Sequence, residues 1–351
     1  MNEDITKIID VAVHAPSGEN CQPWKFEVKA NNILVFNIPE ADQSLYNFEQ
    51  KGSYVAHGAL IENINICASN FGYKTTIDIF PNTSDLTHVA TIMLDKTELK
   101  ADRLVEYIKK RCTNRKMYNG LKLSLEQKKL LKNAAIETGF GDLRLVDETE
   151  KLESLGQNLA VNELVLFENK SIHDFFYSHI LWKEEDQHKA GGFYIKTLEF
   201  LPHQLKAVKL FKNWSILNIL NKILKISKMI SKENAQKYSQ SGTIGAIVSN
   251  GFSKKDYVNA GRAVQRVWLT ATKLGLSVHP CTGVLYFFDR IRGGERSVFS
   301  KSHILEIEKS YNNIVSSFDA QEKCIPMLFR IGYSGEPSAR AMRMNPQIIL
   351  K

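Results

Sequence analysis

Residues 15–24 read Ala15-Pro16-Ser17-Gly18-Glu19-Asn20-Cys21-Gln22-Pro23-Trp24, a turn set between a helical run and an extended one. Upstream, over 4–15, Ile5, Ile8, Ile9 and Val13 recur at the spacing of one helix face. Downstream, 24–28 and 33–38 have the apolar alternation of strands, joined by Lys29-Ala30-Asn31-Asn32 as a hairpin turn. Pro16 and Gly18 suit a tight backbone. Asn20 and Gln22 each carry a donor and an acceptor, the chemistry that reads the edge of a flat heteroaromatic ring. An ordinary helix-to-strand connection uses the same residue types, so composition alone leaves both readings open.

Working outward, the spacing predicts a long helix over 54–71 ended at Gly72, then strands near 75–80 and 88–94. The helix recurs. Tyr54, Val55, Gly58, Ala68 and Gly72 match Tyr257, Val258, Gly261, Ala271 and Gly275 at one constant offset, without a gap over nineteen positions. A repeat this long predicts two copies of one subdomain, with the closing strand at 324–333 answering the strand at 88–94. Between the copies, 103–110 has a helical pattern and runs into Arg111-Cys112-Thr113-Asn114-Arg115. If that stretch is extended, Arg111, Thr113 and Arg115 face one side, and two guanidinium forks with a hydroxyl suit a phosphate dianion. Taken alone, such a triplet is equally a solvated basic turn. Ser124 and Gln127 then open another helix as a capping box.

With 351 residues and 43% hydrophobic content, the chain has ample material for a packed core. The balance of 46 Lys and Arg against 38 Asp and Glu is consistent with a phosphate-bearing ligand without choosing one. Five dispersed cysteines, Cys21, Cys67, Cys112, Cys281 and Cys324, form neither a disulfide framework nor a zinc motif. No metal site and no nucleic-acid module is predicted. An acidic start without a secretory pattern, and no run of about 18 apolar residues, give a cytoplasmic expectation.

The stretch about 165–242 fits neither copy. It holds aromatic-rich segments at 173–181 and 192–201, a charged loop at 183–189, and an apolar stripe over 203–232 that Asn213-Trp214-Ser215 breaks into two helices. Lys206, Lys209, Lys212, Lys222, Lys225 and Lys228 flank that stripe. A basic amphipathic helix suits an anionic membrane surface, but a lid packed on its own protein is the default expectation.

The loop at 15–26 resembles that of flavin-dependent nitroreductases, with the pattern PS-x-x-N-x-QPW-x-F, and the triplet at 111–115 resembles the R-x-[ST]-x-[RK] opening of a subunit in that family. The ordered set of loop, triplet, repeated helix and terminal arginines resembles the family's Acg-like branch, whose single chains mimic the dimer. The resemblance implies an α+β nitroreductase-like fold of two halves, 1–100 and 101–351, forming an internal pseudo-dimer with antiparallel-rich sheets and long central helices, so that one chain suffices. It implies one FMN, because the second half lacks the Asn, Gln and Trp of the loop at 134–146. It assigns Arg111, Thr113, Arg115, Arg340 and Arg343 to the phosphate end. Pro16, Ser17, Gly18, Asn20, Gln22, Pro280, Cys281 and Gly283 go to the ring. Thr282 and Val284 replace the family's Glu and Phe, which puts substrate orientation in doubt. The implied activity passes electrons from NAD(P)H to a nitroaromatic, quinone or other conjugated small-molecule acceptor, with no side chain required as acid or base. The alternatives are an FMN-sequestering protein under a closed lid and a pathway-specific flavin dehydrogenase or oxidase.

Overall fold

A computed structural model describes residues 3–98, 100–188 and 191–351. Met1, Asn2, Leu99, Lys189 and Ala190 lie outside the described residues, so the charged loop expected at 183–189 is described only through its 3-10 turn, Glu184–His188.

The first part of the chain runs α1 (Glu3–Ala12), β1 (Trp24–Lys29), β2 (Asn32–Asn37), α2 (Lys51–Asn70), β3 (Tyr73–Ile79) and β4 (His88–Lys96). One helical turn, α3 (Val105–Ile108), leads to α4 (Leu125–Ile136) and β5 (Asp142–Val146). The helix expected over 103–110 is this short because the chain turns out of it at Arg111, whose N–H closes on the Tyr107 carbonyl. Then come α5 (Thr149–Leu159), α6 (Val161–Glu168), α7 (Lys170–Ser178), β6 (Ile180–Leu181), β7 (Phe193–Tyr194), α8 (Pro202–Phe211), α9 (Trp214–Leu224) and α10 (Ile226–Ser239). The chain closes with β8 (Thr243–Ser249), α11 (Lys254–Lys273), β9 (Ser277–Pro280), α12 (Gly283–Arg292), α13 (Lys301–Ser317), β10 (Cys324–Gly332) and β11 (Ile348–Leu350).

Two sheets share one strand order. The first reads β1-β2-β4-β3 and the second β5-β8-β10-β9, each antiparallel throughout. In each, the long helix links the second strand to the third: α2 in one, α11 in the other. The hairpin turn of the first sheet is replaced in the second by everything between β5 and β8. After Gly332 the chain crosses to the first sheet, where β11 pairs in parallel with β1 and adds a fifth strand. The architecture is α+β and antiparallel-rich, as the resemblance implies.

The repeated helices meet at their repeated glycines. A Cβ on Gly58 would fall 1.9 Å from the Val258 carbonyl oxygen, and one on Gly261 would fall 2.1 Å from that of Val55. Gly58 answers Gly261 and Val55 answers Val258 in the repeat, so the contact is reciprocal about a local two-fold. Next to it Asn63 accepts from Gln265 at 2.7 Å, and the buried Glu62 carboxylate takes Arg262 at 3.0 Å and Arg266 at 3.1 Å. Ile61 and Ile64 of α2 pack with Phe26 and Ile33 beneath one sheet, while Val264 and Val267 of α11 pack with Ile247 and Phe329 beneath the other.

The stripe at 203–232 forms three helices rather than two. The break expected at Asn213 is there, with Asn213 capping α9, but Lys225, in the left-handed region at φ 53°, makes a second break before α10. Backbone at both central positions leaves no room for a methyl group. Gly58→Ala or Gly261→Ala is therefore expected to cost at least about 2 kcal/mol by overpacking, measured as a lowered urea midpoint at unchanged slope.

Candidate functional site

The helix α1 ends with carbonyls that have no partners further along the helix, and their negative pole attracts cations. Two arginines from far along the chain fill that role. Arg343 donates from Nε to Val13 O at 3.1 Å and from Nη2 to His14 O at 3.3 Å and Ala15 O at 3.4 Å. Arg111 donates to the same His14 carbonyl at 3.0 Å and lies 4.5 Å over the ring of Trp268 on α11. Arg340 bonds Lys110 O and sits 3.6 Å from Glu336. Among the described residues, Arg111 and Arg343 have no carboxylate within ion-pair distance, and Arg111 Nε is buried without an acceptor. Burial, with the Arg343 charge next, pulls the Arg111 guanidinium down to about 9; burial pulls Arg343 to about 10. Half-buried His14 is lowered to about 4 by burial and then by the Arg343, Lys109 and Arg111 charges.

The loop after α1 is strained. Glu19, Asn20 and Gln22 all have positive φ (51°, 58° and 50°), at a cost of about 1–3 kcal/mol each. Within the loop, Ser17 Oγ accepts from Gln22 N at 3.0 Å. The segment following β10 supplies the rest: Asn20 Nδ2 donates to Met342 O and Gln22 Oε1 accepts from Met344 N, both at 2.9 Å. The two amides assigned to a ring edge thus hold this C-terminal strap. The strap in turn is fastened to the segment before α8, through Met342 N to Gln187 and through Ser338 to Glu199. Gly191 fits against the backbone of Asn20 and Cys21, where a Cβ would be 2.7 Å from Cys21 Cα. The described residues of the insertion that meet the loop and the strap here are therefore Gln187, Gly191 and Glu199.

The 111–115 stretch is extended. Thr113 makes a parallel bridge with Val278 beside β9, and Asn114 N donates to Val278 O at 3.0 Å. Arg115 reaches Thr197 O at 3.0 Å and the Phe193 ring at 5.4 Å. Beyond β9, Cys281 N donates to Leu328 O, and a Cβ on Gly283 would meet Asn162 Oδ1 at 2.1 Å. Burial pushes the Cys281 thiol up to about 12, so it stays protonated. Pro280 is held in register opposite Phe329, while Pro16 and Gly18 sit partly exposed at the loop's rim.

A second cationic centre was missed by the reading from sequence. Arg330 on β10 is fully buried, 4.1 Å over the Tyr118 ring, and donates to Lys116 O at 2.8 Å and to His279 Nδ1 at 3.1 Å. That last bond requires an unprotonated Nδ1, so His279 is neutral; burial and then the Arg330, Arg115 and Lys237 charges hold its pKa well below the usual range. Burial also lowers Lys237 to about 8 and raises the Glu163 carboxyl, whose Oε1 accepts from Tyr238 Oη at 2.7 Å and whose Oε2 has no partner. The available signal was a lone arginine in the otherwise apolar closing strand Cys324–Gly332. Grooves of about 320 Å³ beside β5 and about 410 Å³ beside Pro39 are lined by none of these residues. Among the described residues, no group of three His, Cys, Asp or Glu side chains is placed to hold a metal ion.

The chain matches no family model. It is 22% identical over 342 residues to the uncharacterized protein MT1398 of Mycobacterium tuberculosis, covering 96% of this chain and 46% of that one. It is 25% identical over 119 residues to a protein of the same species named "Putative NAD(P)H nitroreductase Rv3131", covering 33% of this chain and 35% of that one. The chain spans less than half the length of the curated relatives it matches. Among solved structures it is similar to the FMN-dependent nitroreductase NfnB of Mycobacterium smegmatis, in complex with NADPH. That similarity has 12% identity and a TM-score of 0.36, over 69% of this chain and 94% of that one.

Three histidines, His14, His57 and His279, are kept neutral in the fold, and all three bind protons more readily when the chain unfolds. Their depressed values stabilise the protein fully above the ordinary histidine pKa of about 6.5, and that contribution is lost as pH falls toward about 4. Denaturation midpoints measured from pH 7 down to pH about 4.5 are expected to fall continuously.

Proposed function

We propose that the chain is an FMN-dependent oxidoreductase of the nitroreductase type, built as an internal pseudo-dimer of 1–100 and 101–351 around one flavin site. The observation that carries this reading is the pair of buried Arg111 and half-buried Arg343, guanidinium groups that among the described residues have no carboxylate, beside the strained loop at 17–22. Buried cations in that state call for an anion, and the unpartnered Nε of Arg111 fits a phosphate oxygen. From there the extended 111–115 stretch leads to Arg115, and Arg330 lies next to it on β10. These two cations, with Lys237, suit a ring that takes on negative charge when reduced. When bound, the flavin would supply the redox chemistry. The chain's own residues would hold the phosphate and stabilise charge at the ring, and the neutral His279 would receive the Arg330 proton donor. The Rv3131 similarity supports NAD(P)H as donor, with a conjugated small molecule as acceptor. At this end burial raises the pKa of the Glu163 carboxyl, which accepts from Tyr238 Oη.

A second reading, FMN sequestration, is favoured by the packing of Gly191 against the backbone of the loop and by Asn20 and Gln22 bonding the strap. Two measurements separate the outcomes. Protein reconstituted with FMN should leave gel filtration yellow, and Arg111→Ala should weaken FMN binding about tenfold to a hundredfold, the loss of one charge-assisted contact of about 1.5–3 kcal/mol. Colourless wild-type protein would remove both readings. Anaerobic mixing of the yellow protein with NADPH should then bleach it; a spectrum unchanged over minutes would leave sequestration or another donor.

A further inference from the structure

From Leu201 to Lys232 the chain has seven lysines and neither Asp nor Glu. Those residues make α8, α9 and the first half of α10, and they carry seven of the nineteen large apolar side chains exposed among the described residues. So dense a set on about a tenth of the chain is a patch rather than scatter. In α9 the two faces are both apolar. Trp214, Leu217 and Asn221 point inward at helical spacing: Trp214 meets the His173 ring at 5.0 Å, Leu217 is fully buried, and Asn221 donates to Phe167 O at 2.7 Å. Ile216, Ile219 and Ile223, at the same spacing on the other side, are 36%, 56% and 71% exposed.

The helix is held in that orientation. Asn213 caps its first turn, Asn221 Oδ1 accepts from Ser227 N at the corner into α10, and Ser227 Oγ donates to Glu168, which also takes His303. Leu210, Leu224 and Met229 extend the outward face at 49%, 55% and 62% exposure. A lid needs its apolar face turned inward, and Leu217 satisfies that with one face only. No helix among the described residues is long and apolar enough to cross a membrane, so such a face would lie in an interface rather than span one.

We propose that the outer face of α8–α10 docks on an anionic lipid bilayer, with Ile219 and Ile223 entering the headgroup boundary and the surrounding lysines meeting lipid phosphates. Charge complementarity selects this occupant: an apolar strip flanked by seven lysines, with Glu233 the one acid of these three helices and bonded to Gln204, suits apolar chains beneath a negative surface. The inference is independent of the flavin reading, because its readout is lipid partition alone.

The full-length protein should sediment with phosphatidylglycerol–phosphatidylcholine vesicles at low salt and stay in solution with phosphatidylcholine alone. Ile219→Ser with Ile223→Ser, and separately Lys209→Gln with Lys222→Gln and Lys228→Gln, should each lower the partition coefficient at least about tenfold, with unchanged circular dichroism and melting temperature because these side chains are exposed. Absence of sedimentation with either vesicle, or equal sedimentation with both, overturns the proposal. So does light scattering that shows a dimer dissociated by the isoleucine changes, since a second copy then covers the face.

Discussion

The backbone contact between α2 and α11 at Gly58 and Gly261 governs the geometry of everything described above. Two helices without side chains at their crossing approach closely enough for carbonyl oxygens to lie where Cβ atoms would be. Their flanking polar groups then become a rigid joint: Asn63 bonds Gln265 and also Ala12 O, and Glu62 takes two arginines from the facing helix. Through Asn63 the end of α1 is fixed to that joint. Trp268, two turns beyond Gly261 on α11, is the surface on which Arg111 rests. The distance between the loop of the first half and the arginines of the second is set by this joint.

Electrostatics decide what such a place can hold. Among the described residues, Arg111 and Arg343 meet backbone carbonyls and no carboxylate, chiefly those at the end of α1 and, for Arg343, also Ala341 O and Met342 O, partial charges against two whole ones. A buried cation without a counter-ion is costly, and the downward shifts of both guanidinium groups record that cost. Burial lowers Arg115 and Lys237 as well, and with Arg330 they surround a histidine that burial and then their charges keep neutral. The strained backbone of Glu19, Asn20 and Gln22 is maintained by the strap from Met342 and Met344. Strain and unpaired charge lie at the same end of the molecule, the combination expected where binding rather than folding has shaped the residues.

Much of the scaffold was legible because it rests on local periodicity. The strands around 24–38, the capping box at Ser124 and Gln127 and the paired long helices follow from alternation, cap chemistry and helical spacing. Arg111 and Arg115 were legible as a basic triplet with Thr113. Arg330 was not, since a charged residue inside an apolar strand carries no local instruction about what it faces. Nor was the use of Asn20 and Gln22: their amides can read a ring or a backbone, and residues more than three hundred positions away supply the backbone. In 203–232 the pattern of apolar residues gave helices, but an apolar stripe on both sides of α9 does not say which side meets the protein.

The two long helices with their glycines and the extended basic triplet were each carried by residues within a few turns of one another, while the α+β class came with the family resemblance and the duplication with the match of one helix to the other. The tertiary structure alone decided the rest: which carbonyls the arginines clasp, how the strap is pinned to the loop, that Arg330 lies beside Arg115, and that Ile219 and Ile223 face outward. Those are contacts between distant segments, fixed by the packing of α2 against α11 and by the crossing of the chain from β10 to β11.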